Sequence, residues 1–366
     1  MARVLLVNHS DVVPDLVELF SLVFSTGTDI EMWEWKHLQN PLNPSGLKIT
    51  IAVDDGKIVG ARPFMLANLK AHKKTILAGQ PCDTMVHPDY RRQGIFAEMN
   101  RLVLKYANEL GVSLFYNFPN QHSRAGNLKQ GWQKITLCEQ LMRLENPVEL
   151  AKAKFGSGLG STIIGRSYRI LFGRTPPGEY RSEGCTWRVE TSNKAVEMLE
   201  GLSSLYQEQR IELDRSLSYL KWRVDSHPRH EYRYVMCLDK ERLIGYVLIS
   251  RSKTRNGLRV GQIADYVVGC CDSDCVCAMF ERAVFEMANM GCDMLSTWAP
   301  ADTDMRDVFR TSLGLRSTLD FPLRLAFRGD PLWLTARETN MPLPSRDLCV
   351  CDPATWRLTP LFCDTV

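Results

Sequence analysis

The chain has no apolar run of the roughly 18 residues that a membrane-spanning helix needs. Its net charge is only +3 over 366 residues, too small for a broad nucleic-acid footprint. Neither nucleic acid nor a membrane is therefore expected as a partner. No secretory leader is read at the N-terminus, where Val4-Leu5-Leu6-Val7 runs at once into Asn8-His9-Ser10-Asp11. Paired Cys-x-x-Cys sets are missing as well. The densest cysteine patch, "CCDSDCVC" from Cys270 to Cys277, has no histidine close by. No metal is expected, and the twelve cysteines read as reduced thiols of a cytoplasmic protein.

What is present is globular: 45% apolar and 24% charged residues, and a length that suggests two domains. The first part reads as mixed α/β. Strands are expected at 3–7, 48–53, 58–66, 75–86, 114–117 and 133–144. The turn Asp54-Asp55-Gly56 joins the second and third of these. Helices are expected at 11–24 and 95–110, the latter with Met99, Leu102, Val103 and Tyr106 at helical spacing. Residues 146–184 are rich in Gly, Ser and basic residues and read as a linker with some helix.

The pattern then returns. "GQPCDTMV" from Gly79 is matched by "GQIADYVV" from Gly261, an offset of 182. Trp35 and Pro41 are answered by Trp222 and Pro228, and Val59-Gly60 by Ile244-Gly245. Ala107-Asn108 is answered by Ala288-Asn289, Pro119 by Pro300, and Gly131 by Gly314. Matches in one order with small drifts in offset point to a duplicated domain. The expected division is 1–145, the linker 146–184, a second copy over 185–330 and a tail over 331–366. The fold class is α/β, with a mixed α+β sheet in each of two tandem domains.

"VHPDYRRQGIF", residues 86–96, places two arginines, a glutamine and a glycine where a strand becomes a helix. A helix N-terminus carries unpaired N–H groups and a partial positive charge, which suits a phosphate. Gly94 lets the backbone approach a ligand, and Arg91, Arg92 and Gln93 add donors and charge.

From "DTMVHPDYRRQGIF" through "YNFPNQHSRAGNLKQGW" the sequence resembles the GNAT (Gcn5-related) N-acetyltransferase superfamily. The resemblance covers about the first 145 residues and implies acyl-CoA as co-substrate. The strand before the loop would splay from its neighbour, and the pantetheine arm would pair with backbone groups of Met85 and Val86. The pyrophosphate would meet N–H groups from Arg91 through Arg92, Gln93, Gly94 and Ile95 to Phe96. Asn120 and Ser123 would lie beside the arm. Phe96 departs from the family's small residue at that place. The second copy has no arginine pair, and Asp272 and Asp274 stand where a pyrophosphate would lie, so it is expected not to bind CoA. The whole chain is similar in style to tandem GNAT proteins, among them bacterial sugar N-acyltransferases that act on nucleotide-linked amino sugars.

Acyl transfer to an amine needs a held thioester, oxyanion donors and a proton acceptor. The N–H near Val86 could serve the oxyanion. Asp83, three residues earlier on the expected strand, would face the opposite side, toward the acceptor, where half-burial would raise its pKa. Alternatively Asp83 holds a neighbouring loop. His122 is either a proton relay or a surface residue. The family sometimes uses a tyrosine acid in this helix, and none lies between Pro119 and Trp132. Trp35 could stack on a sugar or belong to the core. Tyr219, Trp222, Asp265 and Trp298 are the candidates for a far acceptor wall. Lys70, Lys73, Lys74, Arg229 and Arg233 are cations available to a diphosphate acceptor, or a solvated face. The expected function is acyl transfer to a nucleotide-linked amino sugar. The alternatives are another small amine (an amino acid, an aminoglycoside or a mycothiol-type acceptor) and a noncatalytic acyl-CoA sensor.

Overall fold

The computed structural model describes residues 2–24, 27–71, 73–173, 186–191, 210–254, 256–269, 273–327, 331–345 and 347–364. Cys270, Cys271 and Asp272, and the end of the expected linker from 174 on, lie outside the described residues.

In the first half the strands are β1 (Arg3–Asn8), β2 (Lys48–Asp54), β3 (Lys57–Arg62), β4 (Phe64–Ala71), β5 (Lys74–Pro81), β6 (Met85–Val86), β7 (Leu114–Asn117) and β8 (Gln133–Leu144). Four helices accompany them: α1 (Val13–Val23), α2 (Ile30–His37), α3 (Ile95–Glu109) and α4 (Gln121–Lys129). A 3-10 turn, His9–Val12, precedes α1, because Pro14 suits a first helical turn and not its interior. Helices α5 (Pro147–Phe155) and α6 (Leu159–Phe172) follow. The later strands are β9 (Thr186–Thr191), β10 (Glu212–Leu213), β11 (Glu231–Asp239), β12 (Arg242–Lys253), β13 (Arg259–Val268), β14 (Met294–Pro300), β15 (Arg316–Ser317) and β16 (Leu332–Glu338).

The result is the expected mixed α/β architecture, with mixed sheets flanked by helices. One sheet has four strands in the order β1-β2-β3-β6. The other has twelve, in the order β10-β4-β5-β7-β16-β8-β14-β13-β12-β11-β9, with β15 beside β8.

Two expected strands are each cut in two. The run expected at 58–66 ends as β3 at Arg62 and restarts as β4 at Phe64. Pro63 has no N–H to give a ladder, so the chain changes sheets there. Its partner, expected at 75–86, ends as β5 at Pro81 and restarts as β6 at Met85. Asp83 in the gap has a φ of 46°, a left-handed conformation that no regular strand contains. β5 pairs with β4, whereas β6 pairs with β3. β5 also touches β7, in parallel, at only Ala78–Leu114 and Gly79–Phe115. Beyond Gly79 the two strands diverge, and the site opens between them.

The tail supplies a strand to the main sheet. β16 lies between β7 and β8, antiparallel to both. The order strand, strand, helix, strand, helix over β4, β5, α3, β7 and α4 recurs over β12, β13, Ser273–Asn289, β14 and Asp304–Thr311. The halves meet at Trp35 and Trp222, whose rings stack with centroids 5.6 Å apart. Trp35 Nε1 donates to Trp222 O (2.9 Å) and Trp222 Nε1 donates to Trp35 O (2.7 Å). Such a reciprocal exchange is what a two-fold relation between equivalent segments produces. Around it runs one core shared by both halves, including Tyr116, Tyr234, Trp356 and Phe362. Each fully buried aromatic there contributes about 1.5–3 kcal/mol of hydrophobic stabilisation.

Candidate active site

α3 forms because Ile95, Met99, Val103 and Tyr106 recur on one buried face. Gly94 is its N-cap, with a φ of 81° and no side chain bonded to the helix end. Arg92, two residues earlier, is also left-handed (φ 63°). The N–H groups of the first turn are thus left without a cap from the chain. A cavity of about 250 Å³ lies against this turn, lined by Arg91, Arg92, Gly94, Ile95, Phe96 and Lys129 among others. Three cations around an uncapped helix start fit a diphosphate.

A second cavity, of about 470 Å³, adjoins the first and shares Val86, Arg91, Phe96 and Gly126 with it. Thr84, Asn120, His122 and Ser123 complete its polar lining, and Val23 and Phe24 from the end of α1 give it an apolar side. His87 N donates to Val59 O at 2.8 Å. Alternation along the strand therefore aims the N–H and C=O of Val86 away from β3, toward the gap. Arg91 Nε donates to Val86 O at 3.2 Å. The backbone of Met85 faces β3 instead, and its side chain is buried, so Met85 is not a free partner for a ligand. Gln93 turns its amide back to Asp89 O (3.1 Å) and braces the loop. Asn120 caps α4 by accepting from Ser123 N at 2.9 Å.

Phe96 is the partition between the two cavities. A Cβ on Gly126 would sit 2.7 Å from its ring, so only glycine lets α4 come this close. On the ring lies Arg62, 4.7 Å from the centroid. Arg62 is 1% exposed and donates to Thr84 Oγ1 (3.0 Å) and Asn127 Oδ1 (3.2 Å). Burial lowers its pKa to about 10. This arginine ties β3, the 82–84 break, α4 and Phe96 together. Sequence reasoning missed it, although a cation inside the apolar run "KIVGARPF" was the available signal.

Asp83 differs most from expectation. It is not on a strand, so strand alternation does not apply to it. Its Oδ2 is 2.8 Å from both Lys36 Nζ and His37 Nε2, and Lys36 Nζ also reaches Asp364 Oδ2 at 2.7 Å. Burial acts to raise the Asp83 pKa, but Lys36 and His37 outweigh it and hold the carboxyl below its usual range. The expected upward shift is thereby corrected. His37, Cys82 and Asp83 are close enough to ligate one ion, but the Lys36 ammonium already occupies the Asp83 carboxylate and opposes a second cation.

The four acceptor-wall candidates are corrected as well, and Trp35 takes the core alternative. Trp35, Tyr219, Trp222, Asp265 and Trp298 are all 5% exposed or less. The two tryptophans bind each other, and Trp298 packs on Phe118. Asp265 receives Arg215 through two hydrogen bonds of 2.7 and 2.8 Å, together with Tyr246 Oη and Thr359 Oγ1. The four aromatic side chains belong to the core shared by both halves. Among the available cations, Lys70 lies 3.7 Å from Asp214, Lys74 donates to Pro344 O, Arg229 pairs with Asp29, and Arg233 with Glu231.

Residues 8–134 match the family model described as an acetyltransferase (GNAT) domain. That match spans about the first third of the chain. No curated protein matches the chain by sequence. Among solved structures it is similar to a tandem GNAT protein from the clavulanic acid biosynthesis pathway, at 12% identity and a TM-score of 0.59, covering 92% of this chain and 98% of that one. It is also similar to a probable N-acyltransferase of Enterococcus faecalis V583 (12% identity, TM-score 0.59, 93% and 73% covered). A third likeness is to Saccharomyces cerevisiae N-myristoyltransferase with bound myristoyl-CoA (11% identity, TM-score 0.59, 93% and 79% covered). At such identities the likeness is one of fold.

The second half departs from the GNAT domain at the corresponding place. β13 runs through Asp265 as one strand, and the sequence leading into Ser273–Asn289 carries no arginine pair like Arg91 and Arg92. β13 and β14 pair only from Val260 to Gln262, and beyond this the 3-10 segment Pro360–Phe362 packs against both strands. The chain's own tail therefore covers the place where the first half is open.

Proposed function

We propose that the open groove of the GNAT domain holds acyl-CoA and that the chain transfers the acyl group to a small-molecule amine. The observation that carries this is the pair of adjoining cavities, running from an uncapped helix start among Arg91, Arg92 and Lys129 to the gap-facing Val86 backbone. The α3 N-terminus and the cations hold the diphosphate. The Val86 N–H lies along the acyl arm and is placed to donate to the carbonyl oxygen as charge develops there. Phe96, pressed between Arg62 and Gly126, sets the width of the passage.

For proton acceptance the geometry favours His122 over Asp83. His122 lines the larger cavity at the first turn of α4, whereas Asp83 is an ion-paired anion beside Lys36 and His37. We assign Asp83 a positioning role: it pins α2 to the break that lets β6 leave β5. We read the two halves as a duplication whose second copy, closed by the tail, supports the first. As acceptor, the amine of a nucleotide-linked amino sugar is the first to test. Its support is the resemblance of the sequence to tandem sugar N-acyltransferases.

The experiment is release of free thiol from acetyl-CoA by the full chain, with a panel of amines that includes free and nucleotide-linked amino sugars. Amine-dependent release supports an enzyme; CoA binding without release under any amine supports a sensor instead. His122→Gln should lower kcat by about 100-fold or more with the CoA affinity kept. Wild-type turnover in that variant would remove His122 from the reaction.

A further inference from the structure

Helices α5 and α6 take no part in the groove. They pack closely on each other: a Cβ on Gly165 would lie 2.5 Å from Val148 Cα. The inner face of α6 carries Ser161, Gly165 and Tyr168, and Leu150 and Tyr168 anchor the pair on Met142, Leu144, Met294 and Leu323. The outer face is apolar and open. Leu159 is 79% exposed, Ile163 57%, Ile164 51%, Ile170 83% and Leu171 70%. Leu159, Ile163 and Ile170 fall within about 40° of one another around the helix, and Arg166 and Arg169 border that stripe on one side. At the end of α5, Phe155 is 63% exposed, and Lys154 Nζ donates to Leu325 O (3.2 Å). That bond brings in the segment bearing exposed Leu319, Phe321 and Leu325. Nine of the thirteen exposed large apolar side chains among the described residues thus lie in 155–171 and 319–325.

Charge points the same way. From 147 to 173 there are four cations, Lys152, Lys154, Arg166 and Arg169, against the single carboxylate of Glu149. This net +3 equals that of the whole chain. An apolar stripe edged by cations on a helix too short and too polar to span a bilayer is the pattern of a helix that lies in the membrane interface. We propose that the α5–α6 face docks on a bilayer surface bearing anionic phospholipid. A second copy is a poorer occupant, because a two-fold contact through this face would set its net positive charge against itself. The expectation of no membrane partner rested on the lack of a span, and an interfacial helix needs none. The proposal does not depend on the acyl-transfer reading.

The test is sedimentation of the full chain with vesicles of phosphatidylcholine alone and with roughly one-third phosphatidylglycerol. Binding is expected to the second vesicle and not the first, and should weaken as salt is raised. Ile170→Glu, on a side chain that supports no core, should lower partition by about tenfold. Arg166→Glu combined with Arg169→Glu should lower it by at least as much. Both variants should keep the wild-type urea midpoint, which shows that they fold. Wild-type protein that stays in the supernatant with phosphatidylglycerol vesicles overturns the proposal. So does a dimer in solution that Ile170→Glu converts to monomer, which would assign this face to a second copy.

Discussion

Replacing Gly94 separates backbone geometry from charge at the phosphate end of the groove. Gly94 has a φ of 81°, and a Cβ there would meet no heavy atom within 4 Å. Gly94→Ala therefore costs only the left-handed backbone, about 1–2 kcal/mol, and this falls on the stability of the loop. Gly94→Glu carries the same cost and adds a carboxylate at the helix start, beside Arg91, Arg92 and Lys129. At about 5 Å, one unit charge repels another by roughly 0.8 kcal/mol in bulk water and roughly 3 kcal/mol at an effective dielectric of 20. Against a diphosphate at the open edge of a protein, about 2–4 kcal/mol is expected, a loss of about 30- to 1000-fold in affinity. The assay is calorimetric titration of both variants with CoA and with pantetheine, which lacks the diphosphate. Gly94→Glu should bind CoA at least about 30-fold more weakly than Gly94→Ala, with less difference at high salt and none for pantetheine. Equal CoA affinities in the two variants, or equal losses of CoA and pantetheine, would refute a diphosphate at this helix start.

Three further outcomes follow from the structure. Arg62→Met keeps bulk against Phe96 but removes the donors to Thr84 and Asn127, leaving the buried Asn127 acceptor bare; CoA affinity and stability should both fall, the latter by about 1–3 kcal/mol, read by titration and urea melts. Asp83→Asn leaves Lys36 with Asp364 and His37 with a neutral partner; stability should drop by several kcal/mol while CoA still binds, and an unchanged urea midpoint would deny it the pinning role. Burial, and the neighbouring His37, lower the pKa of His9 to about 3; burial with His230 and Arg223 lowers that of His227 to about 2, and burial with Arg223 that of His230 to about 4. Because these groups take up protons more readily when unfolded, their contribution is present above about pH 6.5 and is lost as pH falls below it. His9 alone gives about 1.4 kcal/mol per pH unit. A urea midpoint that does not fall between pH 7.5 and pH 5.5 would contradict this.

Features that depend on a short stretch of chain were legible in the sequence. The hairpin at Asp54-Asp55-Gly56, the α3 periodicity and the phosphate loop before it each rest on residues within one or two turns of each other. Glycine at φ 81° and unpaired N–H groups at a helix start act locally, so their residue types point to their geometry. The amphipathic face of α6 was equally local, but it read as linker because Gly158, Gly160 and Gly165 dilute the pattern. Gly165 is there to let α5 approach, which periodicity alone does not reveal.

The break at Asp83 arises because β3 and β4 lie in different sheets, and the paired strand must follow them. Trp35 looked suited to stacking on a sugar and Trp222 to an acceptor wall, yet each satisfies its indole N–H on the other's carbonyl, 187 residues away. Asp83 looked like a base, and Lys36 and His37 make it an anion. β16 enters between β7 and β8 from the far end of the chain. Helix periods, turns and the loop's donors were settled by neighbours in the sequence. Which aromatic is wall or core, and which carboxylate is free or paired, was settled by residues up to about two or three hundred positions away. Those contacts exist only once the strands have chosen their partners.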